Sequence, residues 1–332
     1  MTPFDSLTLA QGRPALSIVV TGRNDGHGGD FNGRFLRTLA FNHDRLTERG
    51  VTYELVLVEW GPPADRPRLS DIVRQTLPRV APALAGYLVD PRYHDACCLN
   101  PRLTYMEFLA KNVGIRRARG RAVLSTNADI YLGRGVVDAL ASTAIESRTV
   151  YRATRVDVKL GADESQVHWD LLEDTRNQTA NKPIQPPLYS GGSGDFLLLE
   201  RDSFHALRGF NEIYRLARLG TDLNFLVKAY SSGFRIVDIG GEVYHTSHVG
   251  SFRISKNVVP GEVEASWGTD WPARRVVYEN PEFWGLRDAP SRQIDEQTAW
   301  LDFSWDAVPP LADLRRVVLP VARTGAATVT QT

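Results

Sequence analysis

Four groups of residues carry side chains suited to chemistry. The first lies in VLSTNADIYLG (123–133), where an apolar, β-branched run stops at Asn127-Ala128-Asp129 and apolar residues resume at Ile130. An unpaired buried carboxylate is costly, so Asp129 is expected to meet water, a cation or a donor. A carboxylate at the mouth of a sheet suits Mg²⁺ or Mn²⁺, which take oxygen ligands and share them with phosphate. An Asp that begins a turn, or caps a helix near Gly133 to Gly135, fits the local sequence equally well. The second is Asp222 in LGTDLNFLVKAYSSGF. There the first turn of a helix favours a negative charge, and the same carboxylate is placed to act as a general base. The third is His245-x-x-His248, read as lying in a loop or turn, either as plain surface imidazoles or as one ligand completing a shell begun by Asp129. Two histidines alone do not close a zinc site. The fourth is the loop Gly22-Arg23-Asn24-Asp25-Gly26-His27-Gly28-Gly29, whose glycines would let backbone N–H groups approach a phosphate. It matches neither the dinucleotide fingerprint nor a P-loop.

The elements that must position these groups alternate. LSIVVT (16–21), ELVLVEW (54–60), GYLVD (86–90) and RAVLST (121–126) read as buried strands. Between them lie helical stretches at 32–49 and 69–77, and a stripe through Leu103, Met106, Ala110 and Val113. Strand alternating with helix predicts an α/β fold with a mainly parallel sheet flanked by helices. Ligands of such sheets collect beyond the carboxyl ends of the strands, where Thr21 to Asp25, Glu59, and Asn127 with Asp129 all fall. The second half is less regular. Residues 161–190 read as a long excursion. DFLLLE (195–200) and FRIVDI (234–239) read as strands, the latter ended by Gly240-Gly241, with a helix from about Thr221 to Tyr230 between them. Beyond Gly250 come loops rich in aromatic residues.

The chain of 332 residues has room for one large α/β domain with an appendage. Expected segments are an N-terminal extension (1–14), a first half (15–133), a second half (134–250), an aromatic-rich extension (251–320) and a disordered tail (321–332). Lys and Arg total 39 against 39 Asp and Glu, so no global basic field attracts nucleic acid. No apolar run reaches the length of a membrane span, and no signal peptide is apparent at the N-terminus. Cys97 and Cys98 are adjacent and make a poor disulfide framework. A cytoplasmic, reducing compartment fits best.

Taken in order, these pieces resemble family 2 glycosyltransferases, nucleotide-sugar enzymes with the GT-A (Rossmann-like) fold. SIVVTGRND is similar to that family's first strand and ELVLVEWGPP to its second. AKNVGIRRARGRAVLSTNADIYL is similar to its A-[RK]-N-x-G helix, strand and Asp-X-Asp motif. GDFLLLERDSFHALRGFNEIY followed by GTDLNFLVKAYSSGFRIVDIGGEVYHTSH is similar to its acceptor-side half. The resemblance spans roughly residues 15 to 250 and is most specific in its last block.

The resemblance implies transfer of a sugar from a nucleoside diphosphate sugar, UDP favoured, to a hydroxyl of a carbohydrate or other acceptor. Asp129 would hold Mn²⁺ or Mg²⁺ against the diphosphate, partnered by His245 with His248 as fallback. Asn127, at the first acidic position of the motif, would contact ribose or a metal-bound water. Asp222 would be the general base of an inverting displacement, with Thr221 replacing the family's Glu. Donor contacts would come from Thr21, Gly22, Arg23, Asp25, Glu59, Lys111, Asn112, Asn127, Ala128 and Asp129. Acceptor contacts would come from Gly191, Gly192, Asp195 and Thr221, with Trp267 and Trp284 offering flat faces to sugar or serving as core or lid. The rival readings are a nucleotidyltransferase, for which only Arg23 and Arg34 stand near the first loop, and a nucleotide-sugar-binding protein with reduced catalysis, which the Asn127 and Thr221 departures favour. The sequence leaves homo-oligomerisation open.

Overall fold

The computed structural model describes residues 13–101, 103–160, 167–212, 220–246, 248, 276–308 and 315–318. The strands are β1 (Leu16–Gly22), β2 (Tyr53–Trp60), β3 (Leu84–Val89), β4 (Ala122–Thr126), β5 (Ile130–Leu132), β6 (Thr149–Val158), β7 (Gln178–Lys182), β8 (Phe196–Glu200), β9 (Arg235–Thr246), β10 (Val276–Glu279), β11 (Ser291–Asp295), β12 (Thr298–Leu301) and β13 (Arg315–Val318). The helices are α1 (Phe31–Glu48), α2 (Leu69–Thr76), α3 (Arg92–Cys97), α4 (Glu107–Arg117), α5 (Arg134–Ser142), α6 (Trp169–Glu173), α7 (Arg201–Ala206) and α8 (Thr221–Ser231).

One large sheet runs in the order β11-β12-β3-β2-β1-β4-β8-β6-β9-β5, with β7 paired to β6. It is parallel from β12 to β4, so the α/β expectation holds in this half. Beyond β4 the sheet is mixed: β8 is antiparallel to both β4 and β6, β9 is parallel to β6, and β5 is antiparallel to β9. Period-two alternation divides the side chains between two layers. Leu16, Ile18 and Val20 of β1 join Phe35 and Leu39 of α1, whereas Val19 joins Ala110 and Val113 of α4 and Phe225 of α8 on the opposite face.

Three elements depart from the sequence reading. Helix α4 starts at Glu107 and not at Leu103; the segment before it is held by a turn in which Leu103 N–H donates to Asn100 O at 2.9 Å. Strand β9 does not stop at Gly240-Gly241. Those glycines adopt φ of +86° and +150°, and pairing with β6 continues past them across a register shift. The H-x-x-H motif therefore begins on a strand. Finally, β12 adds in parallel to the β3 edge, so part of the region read as aromatic loops extends the main sheet. Residues 1–12, 251–275 (with Trp267) and the tail at 321–332 lie outside the described residues. Among the described residues no helix is long and apolar enough to cross a membrane.

Candidate metal centre and active site

Strand register brings the first three chemical groups together. In the β5–β9 pair Ile130 stands opposite His245, and in the β6–β9 pair Asp157 stands beside it. Asp129 immediately precedes Ile130, so both carboxylates flank the same imidazole. On the other side of the motif, Thr126 stands opposite Phe196, which sets Asn127 against Asp195. Asn42 of α1 fastens the adjoining β5: it accepts from Leu132 N–H and donates to Ile130 O, both at 2.9 Å.

Asp129 Oδ2 lies 3.5 Å from His245 Nε2 and 3.3 Å from His248 Nε2. One ligand atom from each of these residues falls within 4.8 Å of the others. One oxygen and two imidazole nitrogens form a donor set that a divalent transition metal accepts. His245 Nδ1 contacts Asp157 Oδ1 at 2.9 Å and Arg155 Nη2 at 2.8 Å. Arginine has only donors, so when Nδ1 carries a proton Asp157 is its acceptor, and Nε2 then faces Asp129. A carboxylate behind a histidine fixes its tautomer and raises its basicity as a ligand. The electrostatics agree. Burial opposes charge on His245, yet the hydrogen bonds and field of Asp129 and Asp157 outweigh it and push the imidazole up to about 9. Burial likewise opposes charge on Asp129, but the two histidines hold that carboxyl well below its usual range. Asp157 is also buried, and His245 and Arg155 bring it down to about 2.

Arg155 joins this centre to the second half of the site. Its Nη1 donates to Asp195 Oδ2 at 2.8 Å, while Nε and Nη2 hold Asp157 Oδ1. Asp195 Oδ1 accepts from Asn127 Nδ2 at 2.8 Å. The turn ahead of Asp195 carries Gly191, Gly192 and Ser193, and the fully buried Arg152 pins it by donating to the carbonyls of Tyr189, Gly191 and Ser193. Burial of that guanidinium, with Asp195 and Asp222 near it, leaves it at about 10. Ser193 Oγ then donates to Asp222 Oδ2 at 2.5 Å. Asp222 sits in the first turn of α8, behind Gly220 in a left-handed conformation and beside buried Thr221. The base candidate and the metal candidate thus belong to one hydrogen-bonded assembly.

The first loop closes over the opposite side. Arg34 reaches back from α1 to donate to Gly28 O and His27 O, both at 3.0 Å, and the His27 ring lies 5.9 Å from that of His248. Arg23 pairs with Asp25 at 2.8 Å and donates to Thr104 O. Thr21 and Gly22 close β1 at this rim, and Ala128 is buried beneath the motif.

No family model matches the chain, and no curated protein matches it. It is similar to the solved structure of GalNAc-T7 with UDP, GalNAc and Mn²⁺, at 15% identity and a TM-score of 0.48 over 76% of this chain. The chain spans about half (48%) of that protein. It is also similar to the catalytic domain of Drosophila β1,4-galactosyltransferase 7 in complex with xylobiose, at 14% identity and a TM-score of 0.41, covering 89% of this chain and 97% of that one. A mutant of the latter with manganese, UDP-Gal and xylobiose is 13% identical, with a TM-score of 0.41.

Four expected contacts are placed elsewhere. Glu59 is 0% exposed, and its two oxygens accept the N–H groups of Leu69 and Ser70 at the start of α2. It caps a helix and does not face the crevice. Lys111 is also fully buried; its three N–H donors meet Asn127 Oδ1, Gly194 O and Glu107 Oε1, which leaves none for a phosphate. Asn112 holds Phe210 and Glu212 in the core. Trp284 is 1% exposed, beside His205 and under Arg116, so it is a core residue and not a sugar platform. In return, Asp157, Arg155, Arg152 and Ser193 enter the site without having been read from the sequence. Their signal is a set of charged positions, Arg152, Arg155 and Asp157, inside the otherwise apolar run TVYRATRVDV.

Proposed function

We propose that this chain is a glycosyltransferase of the GT-A type, moving a hexosyl-type sugar from a nucleoside diphosphate sugar, UDP favoured, to an acceptor hydroxyl with inversion. The observation that carries the reading is the convergence of Asp129, His245 and His248 at the carboxyl ends of the parallel strands, joined by hydrogen bonds to a turn that orients Asp222.

In this reading Asp129, His245 and His248 hold Mn²⁺ or Mg²⁺, which when bound offsets negative charge on the leaving nucleoside diphosphate. Thr21 to Asp25, with the half-buried Arg23 among them, border the donor. Gly191, Gly192 and Asp195 border the acceptor, and Asp222 removes the proton from its attacking hydroxyl. Ser193 keeps the Asp222 carboxylate aimed, and Arg152 keeps Ser193 in place.

The test is thermal unfolding with a panel of nucleoside diphosphates and nucleotide sugars, with and without Mn²⁺, on wild type and Asp129→Ala. A ligand at about a hundredfold excess over its Kd adds roughly 2.7 kcal/mol. The expected result is a Mn²⁺-dependent rise in Tm with one nucleotide, lost in Asp129→Ala. No rise with any nucleotide would sink the reading. With that donor in hand, Asp222→Asn is expected to lower turnover about 10²–10⁴-fold while nucleotide binding persists. Donor binding without turnover in the wild type would point to the binding-protein alternative.

A further inference from the structure

The residue type at position 127 follows from its two neighbours. Lysine can only donate hydrogen bonds, and an ionised carboxylate can only accept them. Asn127 stands between one of each: its Oδ1 receives Lys111 Nζ at 2.6 Å, and its Nδ2 donates to Asp195 Oδ1 at 2.8 Å. An amide supplies an acceptor and a donor in that order, whereas an aspartate would set a second anionic oxygen against Asp195.

We propose that Asn127 is a positioning link that ties the acceptor-side Asp195 turn to the metal-bearing strand end, and that it is not a ligand of the cation. The departure from Asp-X-Asp is then a requirement of this site and not a decay of it. The inference rests on the proposed function only where it speaks of the cation. The link itself is a matter of Lys111, Asn127, Asp195 and Arg155.

A double-mutant cycle separates these possibilities. Wild type, Asn127→Asp, Asp195→Asn and the double variant are unfolded thermally in EDTA, and Mn²⁺ affinity is measured for each by electron paramagnetic resonance. Asn127→Asp is expected to lower Tm by roughly 2–5 °C, because the half-buried carboxylate at 127 keeps Lys111 but faces the Asp195 carboxylate with no donor between them. The double variant is expected to recover most of that loss. Its new carboxylate at 127 accepts from Lys111 and from the new amide at 195, whose oxygen still accepts from Arg155. Its Mn²⁺ affinity should stay within about threefold of wild type. Strictly additive Tm losses would overturn the link. Mn²⁺ binding about tenfold tighter or more in Asn127→Asp would overturn the claim that 127 is not a ligand position. Should Asn127→Asp fail to fold, Asn127→Ala serves: a lower Tm with unchanged Mn²⁺ affinity supports the proposal, and a Mn²⁺ affinity weakened tenfold overturns it. Absence of Mn²⁺ binding in the wild type itself would count against the donor-site reading, while the Tm cycle would still decide the link.

Discussion

At the scale of single residues, the site includes a side chain that stands behind a candidate ligand of the cation. Asp157 accepts the Nδ1 proton of His245 and so turns Nε2 toward Asp129. Its removal is expected to weaken Mn²⁺ binding about 10–100-fold, the usual effect of losing a carboxylate behind a histidine ligand. Titration of metal into Asp157→Ala and wild type in the absence of any nucleotide checks this, and equal affinities would show that the imidazole is oriented without it. Asp129, Asp222, His245 and His248 were legible in the sequence because few residue types can bind a cation or remove a proton, and each stands at a strand end or a helix start. Asp157 and Arg155 were not, because their contacts depend on β6 lying parallel to β9 in one register, a pairing between segments some 88 positions apart. Glu59 and Lys111 lie away from their expected contacts for a related reason, and Trp284 takes the core place that its sequence allows beside the sugar platform. Residue type states what a side chain can do, and only packing states what it faces.

At the scale of elements, the first half was legible because its strands are short apolar runs closed by glycine or proline and its helices keep their spacing. Helix α4 shows how closely this half is packed. A Cβ at Gly114 would fall 2.6 Å from Val19 Cγ1, 3.1 Å from Val58 Cγ2 and 3.3 Å from Val56 Cγ1, so the helix lies directly on β1 and β2 only because no side chain intervenes. Gly114→Ala is therefore expected to destabilise the fold by about 1–3 kcal/mol through overpacking, even though alanine is the better helix former. Chemical denaturation would reveal it as a lower midpoint with an unchanged slope; a variant as stable as wild type would mean that α4 can slide outward at no cost. The same half holds Lys111, so a shift of α4 also moves the link to Asn127. Strand β9 shows where legibility ended. Gly240-Gly241 reads as a terminator, but β6 offers partners on both sides of it, and a Cβ at Gly241 would lie 2.7 Å from Val136 N of α5. The glycines bend a continuous strand beneath a helix start and deliver His245 to the site.

At the scale of the whole molecule, the net charge is balanced, and individual buried groups whose pKa differs between folded and unfolded chain add a pH dependence to stability. Lys228 is the clearest. It is 3% exposed and donates to Leu207 O and Gly209 O, both at 2.7 Å. A neutral amine keeps two N–H groups, enough for both carbonyls. Burial pushes it down to about 7 from an ordinary 10.5, against the pull of Glu279 and Glu212. Its folded value lies below its unfolded one, so between these limits the unfolded chain binds one more proton and stability rises with pH, by about 1.4 kcal/mol per unit. His245 has the opposite sign. Its folded value of about 9 lies above the unfolded 6.5, so its contribution is complete below 6.5 and is lost as pH climbs through 9. In the raw profile the two slopes oppose one another from 7 to 9. The informative quantity is thus the difference in unfolding free energy between wild type and Lys228→Met, measured at pH 7.5, 8.25 and 9.0. That difference should move in favour of wild type by about 2 kcal/mol across the range, because methionine keeps the volume but has no proton to lose. A constant difference would mean that Lys228 stays charged in the fold, and that its two carbonyls and the nearby carboxylates outweigh its burial.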